Sequence, residues 1–115
     1  MAQRTARAET LLWLAQRASA AVLAVCVAVH LATIIYAVQG GLTAEEILGR
    51  TRGSAWWLAF YSIFVVAVAV HAPIGLRTIV REMTPWRGAS LDGATAIAAI
   101  ALIAFGWRAI GGLVG

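Results

Sequence analysis

This sequence contains no lysine, a single cysteine, and no carboxylate in any of its long apolar runs. Charged residues make up 12% of its 115 residues, nine basic and five acidic. A soluble domain carries about a quarter charged residues to cover its surface, so an ordinary water-soluble fold is disfavoured. The lone Cys26 excludes an internal disulfide and any multi-cysteine zinc or iron–sulfur site within the chain. A small transporter would want a carboxylate or other coupling group deep in its bundle, and all five acidic residues lie outside the apolar runs.

The rest of the composition is strongly apolar: 62% of residues are hydrophobic and the mean hydropathy is +0.85. The length accommodates one small unit. A run of about 20 apolar residues crosses a ~30 Å hydrocarbon core, and three runs qualify, 18–38, 55–76 and 94–110. They predict an all-α integral membrane protein with three transmembrane helices, forming part of an intersubunit helical bundle. The first run reads as a retained helix, because neither a shorter apolar core nor a small-residue cleavage site is evident.

All nine basic residues are arginines, eight flanking these runs and Arg108 near the outer end of the third, where it can snorkel, so a membrane explains the pI near 10.7 better than nucleic acid does. Arg4, Arg7 and Arg17 face only Glu9 in the N-terminal segment; Arg77, Arg81 and Arg87 outnumber Glu82 and Asp92 in the second connection. The first connection is formally neutral, with Glu45 and Glu46 against Arg50 and Arg52. This bias predicts a cytoplasmic N-terminus and second connection, with the C-terminus outside. Thr43 and Glu46 have the spacing of a capping box on a short loop helix. Thr84-Pro85 should end the second helix, and Ser90 with Asp92 should cap the third.

Both histidines fall within predicted spans, where an ionisable group costs on the order of 2 kcal/mol or more unless compensated. Imidazole at membrane depth suits either an interhelical hydrogen bond or the iron of haem b, one ring nitrogen binding metal while the other donates to an acceptor. At ~100° per residue, Trp57, Phe60, Phe64, Gly75, Thr78 and Glu82 share the direction of His71, an aromatic face with a gap at Gly75 where a planar macrocycle could lie. The same face could simply pack against a helix. Pro73 frees the carbonyl of Ala69 near this point. His30 shares a stripe with Ser19, Cys26 and Thr33. Counted from the run ends, His30 lies ~18 Å deep and His71 ~8 Å from the opposite-running helix's cytoplasmic edge. One intrachain iron shared by both is therefore disfavoured, and each histidine is expected to look to a partner chain. Arg17 and Arg77 could pair with haem propionates or a quinone oxygen, or merely orient the chain.

Two segments at these residues carry a family resemblance. Gln16-Arg17-Ala18-Ser19-Ala20 resembles the H-R-x-S-G segment of the cytochrome-b-type membrane anchor subunit of succinate dehydrogenase and fumarate reductase, and His71-Ala72-Pro73-Ile74-Gly75-Leu76-Arg77 resembles its H-x-x-x-G-[IL]-R-H segment. The resemblance covers roughly 11–87. Gln16 stands for a His, Ala20 for a Gly and Thr78 for the last His, and Trp13 stands where some members have a quinone-site Ser. The resemblance implies that His71 is an axial haem ligand and that Arg17 and Ser19 lie near a quinone site and the haem propionates. His30 is similar in place to a ligand of the two-haem branch of the family.

What the resemblance implies is a haem b-binding anchor that passes electrons between an iron–sulfur subunit, itself served by a flavoprotein, and membrane quinone. The chain would be a multi-pass protein of the bacterial inner membrane, partnered by a second anchor or a second copy of itself. It would not be an enzyme alone. The competing expectations are a haemless helical anchor or assembly subunit, and a haem b anchor of another dehydrogenase.

Overall fold

A computed structural model describes residues 5–115; Arg4 lies outside the described residues. The chain forms α1 (Ala6–Gln39), α2 (Ala44–Thr51), α3 (Ala55–Met83) and α4 (Ala89–Val114), with no strand among the described residues. Three of the four helices, α1, α3 and α4, are long and apolar enough to cross a membrane. They run up, down and up, with α3 in the middle packed against α1 on one side and α4 on the other. One end of the bundle is arginine-rich, gathering the start of α1, the end of α3 and the start of α4. The short α2 sits at the opposite end and touches α4.

Local chemistry sets the helix ends. Thr5 caps α1 by accepting from the Ala8 N–H, so the helix starts well before the apolar run and carries Arg7, Glu9 and Arg17 on its polar first turns. The capping box on α2 forms as expected: the Thr43 hydroxyl accepts from the Glu46 N–H while the Glu46 carboxylate accepts from the Thr43 N–H. Ser54 caps α3, and Thr84 closes it just before Pro85. Arg87 then donates to the carbonyls of Thr84 and Trp86, both at 2.8 Å, and to that of Arg81, placing a cation where the C-terminal carbonyls of α3 are unsatisfied.

The expected cap of the third long helix does not form. Its N-cap is Gly88, at φ 88, with no side-chain hydrogen bond. Ser90 instead accepts from the Trp86 indole at 2.7 Å, and Asp92 accepts from Arg77 Nε at 3.1 Å. Ser90 is taken by the loop four residues before it, and Asp92 by a tertiary partner on α3. The left-handed φ at position 88 is open to glycine at little cost, so the helix begins at Ala89 on backbone geometry alone.

Because the long helices are apolar nearly all round, few residues are buried within a single chain: Ser19 and Cys26 on α1, Ala67, Ala69 and Pro73 on α3, and Leu91, Ile110 and Val114 on α4. Small residues set the approach between helices. A Cβ added at Gly106 would lie 2.6 Å from Val65 Cγ1, and one at Gly75 would lie 3.2 Å from Gln16 Nε2. Polar ties pin the two ends. Arg77, its side chain only 11% exposed, bridges Asp92 of α4 and Glu9 of α1 (3.4 Å), and Arg81 lies 3.8 Å from the same Glu9. At the other end Thr51 Oγ1 donates to the Leu113 carbonyl at 2.7 Å and the Gly53 N–H to that of Val114 at 2.8 Å.

Candidate functional site

The register of α1 on α3 brings Ser19 to His71. Ser19 Oγ lies 3.4 Å from His71 Nδ1 and 3.0 Å from the carbonyl of Gln16. A hydroxyl has one hydrogen to give. With that hydrogen on the Gln16 carbonyl, Oγ meets Nδ1 with a lone pair, so Nδ1 carries the proton. The tautomer assigned in this way leaves Nε2 of His71 unprotonated, which is the state a metal requires of imidazole.

Gln16 is the residue that sequence reasoning noticed only as a departure from a motif. Its Oε1 is buried and has no hydrogen-bond partner among the described residues, while its Nε2 packs over Gly75. A buried acceptor left unpaired costs about 1–3 kcal/mol, so a donor from outside the chain would be stabilising here. The available sequence signal was the Gln16/Ser19 spacing of three, which puts both on one face of α1.

Gly75 corrects an expectation. It does not open a gap beside His71; its missing side chain is what admits Gln16 of α1. The aromatic stripe is likewise not a platform at His71. Trp57, Phe60, Tyr61 and Phe64 pack on one another, and Tyr61 and Phe64 meet the His30 ring edge-on at 5.8 and 5.6 Å between centroids. Helical angle placed these residues on the correct face, but Phe64 and Trp57 lie ~10 and ~21 Å along the axis from His71, too far to share its surroundings.

His30 finds its partner inside the chain: its Nδ1 lies 3.3 Å from the Tyr61 hydroxyl. The stripe of Ser19, Cys26, His30 and Thr33 does form the face of α1 turned inward, with Ser19 and Cys26 buried. Ser19, at the level of His71, is eleven residues from His30, so the two histidines stand ~16 Å apart along the bundle. They occupy separate levels, as the run lengths had indicated.

Arg17 is exposed, its guanidinium 5.2 Å from the Trp13 ring, two residues before Ser19 in sequence. Arg77 is committed to Glu9 and Asp92 and so braces the three helices. His71, Ser19, Gln16 and Gly75 are thus brought together, with Arg17 next along α1, while Arg77 holds the arginine-rich end and His30 belongs to the other half. No cluster of three or more His, Cys, Asp or Glu side chains exists among the described residues, so His71 offers one ligand from this chain.

The family model described as succinate dehydrogenase/fumarate reductase transmembrane subunit matches residues 2–107. No curated protein and no solved structure matches the chain.

Proposed function

Since the chain belongs to the succinate dehydrogenase/fumarate reductase transmembrane subunits, we propose that it is the haem b-binding anchor of such a complex, linking an iron–sulfur subunit to membrane quinone. The observation that carries this reading is the Ser19–His71 contact, which holds Nδ1 and frees Nε2. An imidazole whose ring is fixed by a neighbouring hydroxyl would be prepared to hold the iron of haem b. The donor set fits the group in a further respect: the unpaired Gln16 Oε1 would accept from a protonated propionate or an ordered water.

Each residue then has a task in this chain. His71 presents Nε2; Ser19 keeps the ring's tautomer and direction; Gly75 lets α1 approach closely enough for Gln16 to reach the site. Arg17 supplies a planar fork suited to a carboxylate or a carbonyl oxygen. Arg77 acts indirectly, holding α1 and α4 to α3 at the arginine-rich end. His71, with an imidazole from another chain, would hold haem b, which would supply one-electron passage. The second imidazole would come from another anchor chain or a second copy, since His30 is on a different level.

In this reading the arginine-rich end faces the cytoplasm, where the docked iron–sulfur subunit would deliver electrons close to His71 and Arg17. The haemless anchor is the second reading, and it is favoured by the fact that both histidines already make interhelical contacts. Co-purification of the tagged chain with its native companions, followed by a redox-difference spectrum, separates the two. The proposal expects flavin and iron–sulfur subunits in the eluate and a b-type band that His71→Ala abolishes. A band of undiminished size in His71→Ala would overturn it.

A further inference from the structure

Arg108 is the only charged residue inside the three apolar runs, and neither the His71 site nor the ties at the two ends of the bundle use it. It lies six residues, or ~9 Å, before the end of α4 at Val114. Among the described residues it makes no hydrogen bond and no ion pair. At ~100° per residue, Gly93, Ile97, Ala104, Arg108 and Gly111 stand within ~40° of the direction opposite Gly106, the residue at which α4 meets Val65 of α3. All five are exposed. A Cβ built at Gly93, Gly111 or Gly112 would meet nothing within 4 Å. Glycine costs a helix interior more than alanine does. At Gly106 the missing side chain admits α3, whereas at Gly111 and Gly112 it admits nothing from this chain. Lipid tails gain nothing from a bare helix backbone, but a second helix gains close approach.

We propose that this outer face of α4 seats a transmembrane helix of another protein, one that carries an aspartate or glutamate level with Arg108. A guanidinium at membrane depth calls for an acceptor of opposite charge, and a carboxylate matches its planar fork. The Cα–Cβ bonds of a helix tilt toward its N-terminus, and α4 begins at the arginine-rich end. Arg108 therefore leaves its helix directed into the membrane, and snorkelling to the nearer headgroups starts against that tilt. A second copy of the chain does not fit: two α4 helices joined by this face in one membrane would set Arg108 against Arg108 at the same depth. None of the chain's five acidic residues lies in an apolar run to relieve that repulsion. The face points away from α3, so the helix seated on it is separate from any that meets His71, and the inference does not depend on whether His71 holds iron.

The test replaces Trp107, 61% exposed at the rim of this face, by photo-crosslinking benzoylphenylalanine in the full chain and irradiates native membranes. The same group at Val25, 65% exposed on α1, is the control. The expected result is a peptide adduct at position 107, absent at position 25, that maps to a different chain within one helical turn of an Asp or Glu. Arg108→Gln should lower its yield about tenfold or more, and Gly111→Leu should do the same by filling the seam, with the thermal unfolding of the purified chain unchanged in both. Arg108→Glu should abolish the adduct, and exchanging the partner's carboxylate for arginine should restore it. Adducts to lipid alone, with retained phospholipid lost in Arg108→Gln by native mass spectrometry, would overturn the proposal in favour of a headgroup phosphate. An adduct to a second copy, a partner helix without a carboxylate at that level, or a yield unchanged in Arg108→Gln and Gly111→Leu would also overturn it.

Discussion

Ser19→Ala tests whether the contact that fixes the His71 tautomer matters. The substitution removes one hydroxyl from a buried position and leaves the backbone helical, since the Gln16 carbonyl keeps its own place in the α1 ladder. A net hydrogen bond contributes about 0.5–1.5 kcal/mol, and at 3.4 Å this one belongs in the lower half of that range. Alanine returns a few tenths of a kcal/mol through helix propensity, so chain stability should barely move. Haem retention should move. Loss of a second-shell partner typically weakens a metal site about 10–100-fold, and the length of this bond sets the expected loss at about three- to tenfold. Ser19→Thr keeps the hydroxyl and should restore most of the affinity. The assay is haem occupancy against dilution in the purified complex, read from the reduced b-type band, with thermal unfolding of the same samples as control. Equal occupancy in wild type and Ser19→Ala, with His71→Ala colourless, would show that the serine does not hold the ligand and that the tautomer argument is wrong.

Gly106→Ala should destabilise despite the better helix propensity of alanine. Its Cβ would meet both γ-carbons of Val65, at 2.6 and 2.7 Å, and valine in a helix has essentially one χ1 rotamer; overpacking of about 1–3 kcal/mol outweighs the roughly 1 kcal/mol gained from propensity. Val65→Ala should rescue it in a double-mutant cycle, and a more stable Gly106→Ala single variant would refute the close approach of α3 and α4. Arg77→Ala should lower unfolding stability by about 1–3 kcal/mol, because it strips partners from Asp92 and Glu9 at a mostly buried position. Arg81→Ala, at a longer and more exposed pair, should cost under about 0.5 kcal/mol; equal effects would deny Arg77 its bracing role. Thr51→Val should cost about 1 kcal/mol by freeing the Leu113 carbonyl, and hydrogen exchange should speed up selectively in α2 and at the end of α4.

The three long helices were legible in the sequence because the bilayer imposes a length, and runs of 17–22 apolar residues meet it without reference to any neighbour. The capping box at Thr43 was legible for the same reason: both partners lie within one turn. The start of α4 was not, because Asp92 answers to Arg77 of another helix and Ser90 turns back to the Trp86 indole of the preceding loop. Periodicity also gave the inward face of α1 correctly, with Ser19, Cys26, His30 and Thr33 on it. It could not give the level at which that face meets α3, which depends on where each helix ends, and both α1 and α3 extend past their apolar runs.

That missing level explains why the aromatic stripe was attached to the wrong histidine. Trp57, Phe60 and Phe64 share an angle with His71, yet the register delivers Phe64 to His30, with Phe60 and Trp57 packed in turn beyond it. The two histidines end with different Nδ1 neighbours, the Ser19 hydroxyl, which donates to the Gln16 carbonyl, and the Tyr61 phenol, which also meets the Thr33 hydroxyl. Tyr61→Phe is the direct check on this pairing: it removes one interhelical hydrogen bond to His30 and should lower unfolding stability by about 0.5–1.5 kcal/mol without any change at the His71 band. Loss of the His71 band in Tyr61→Phe would mean that the two histidines do not occupy separate levels, and the register of α1 on α3 would have to be drawn again.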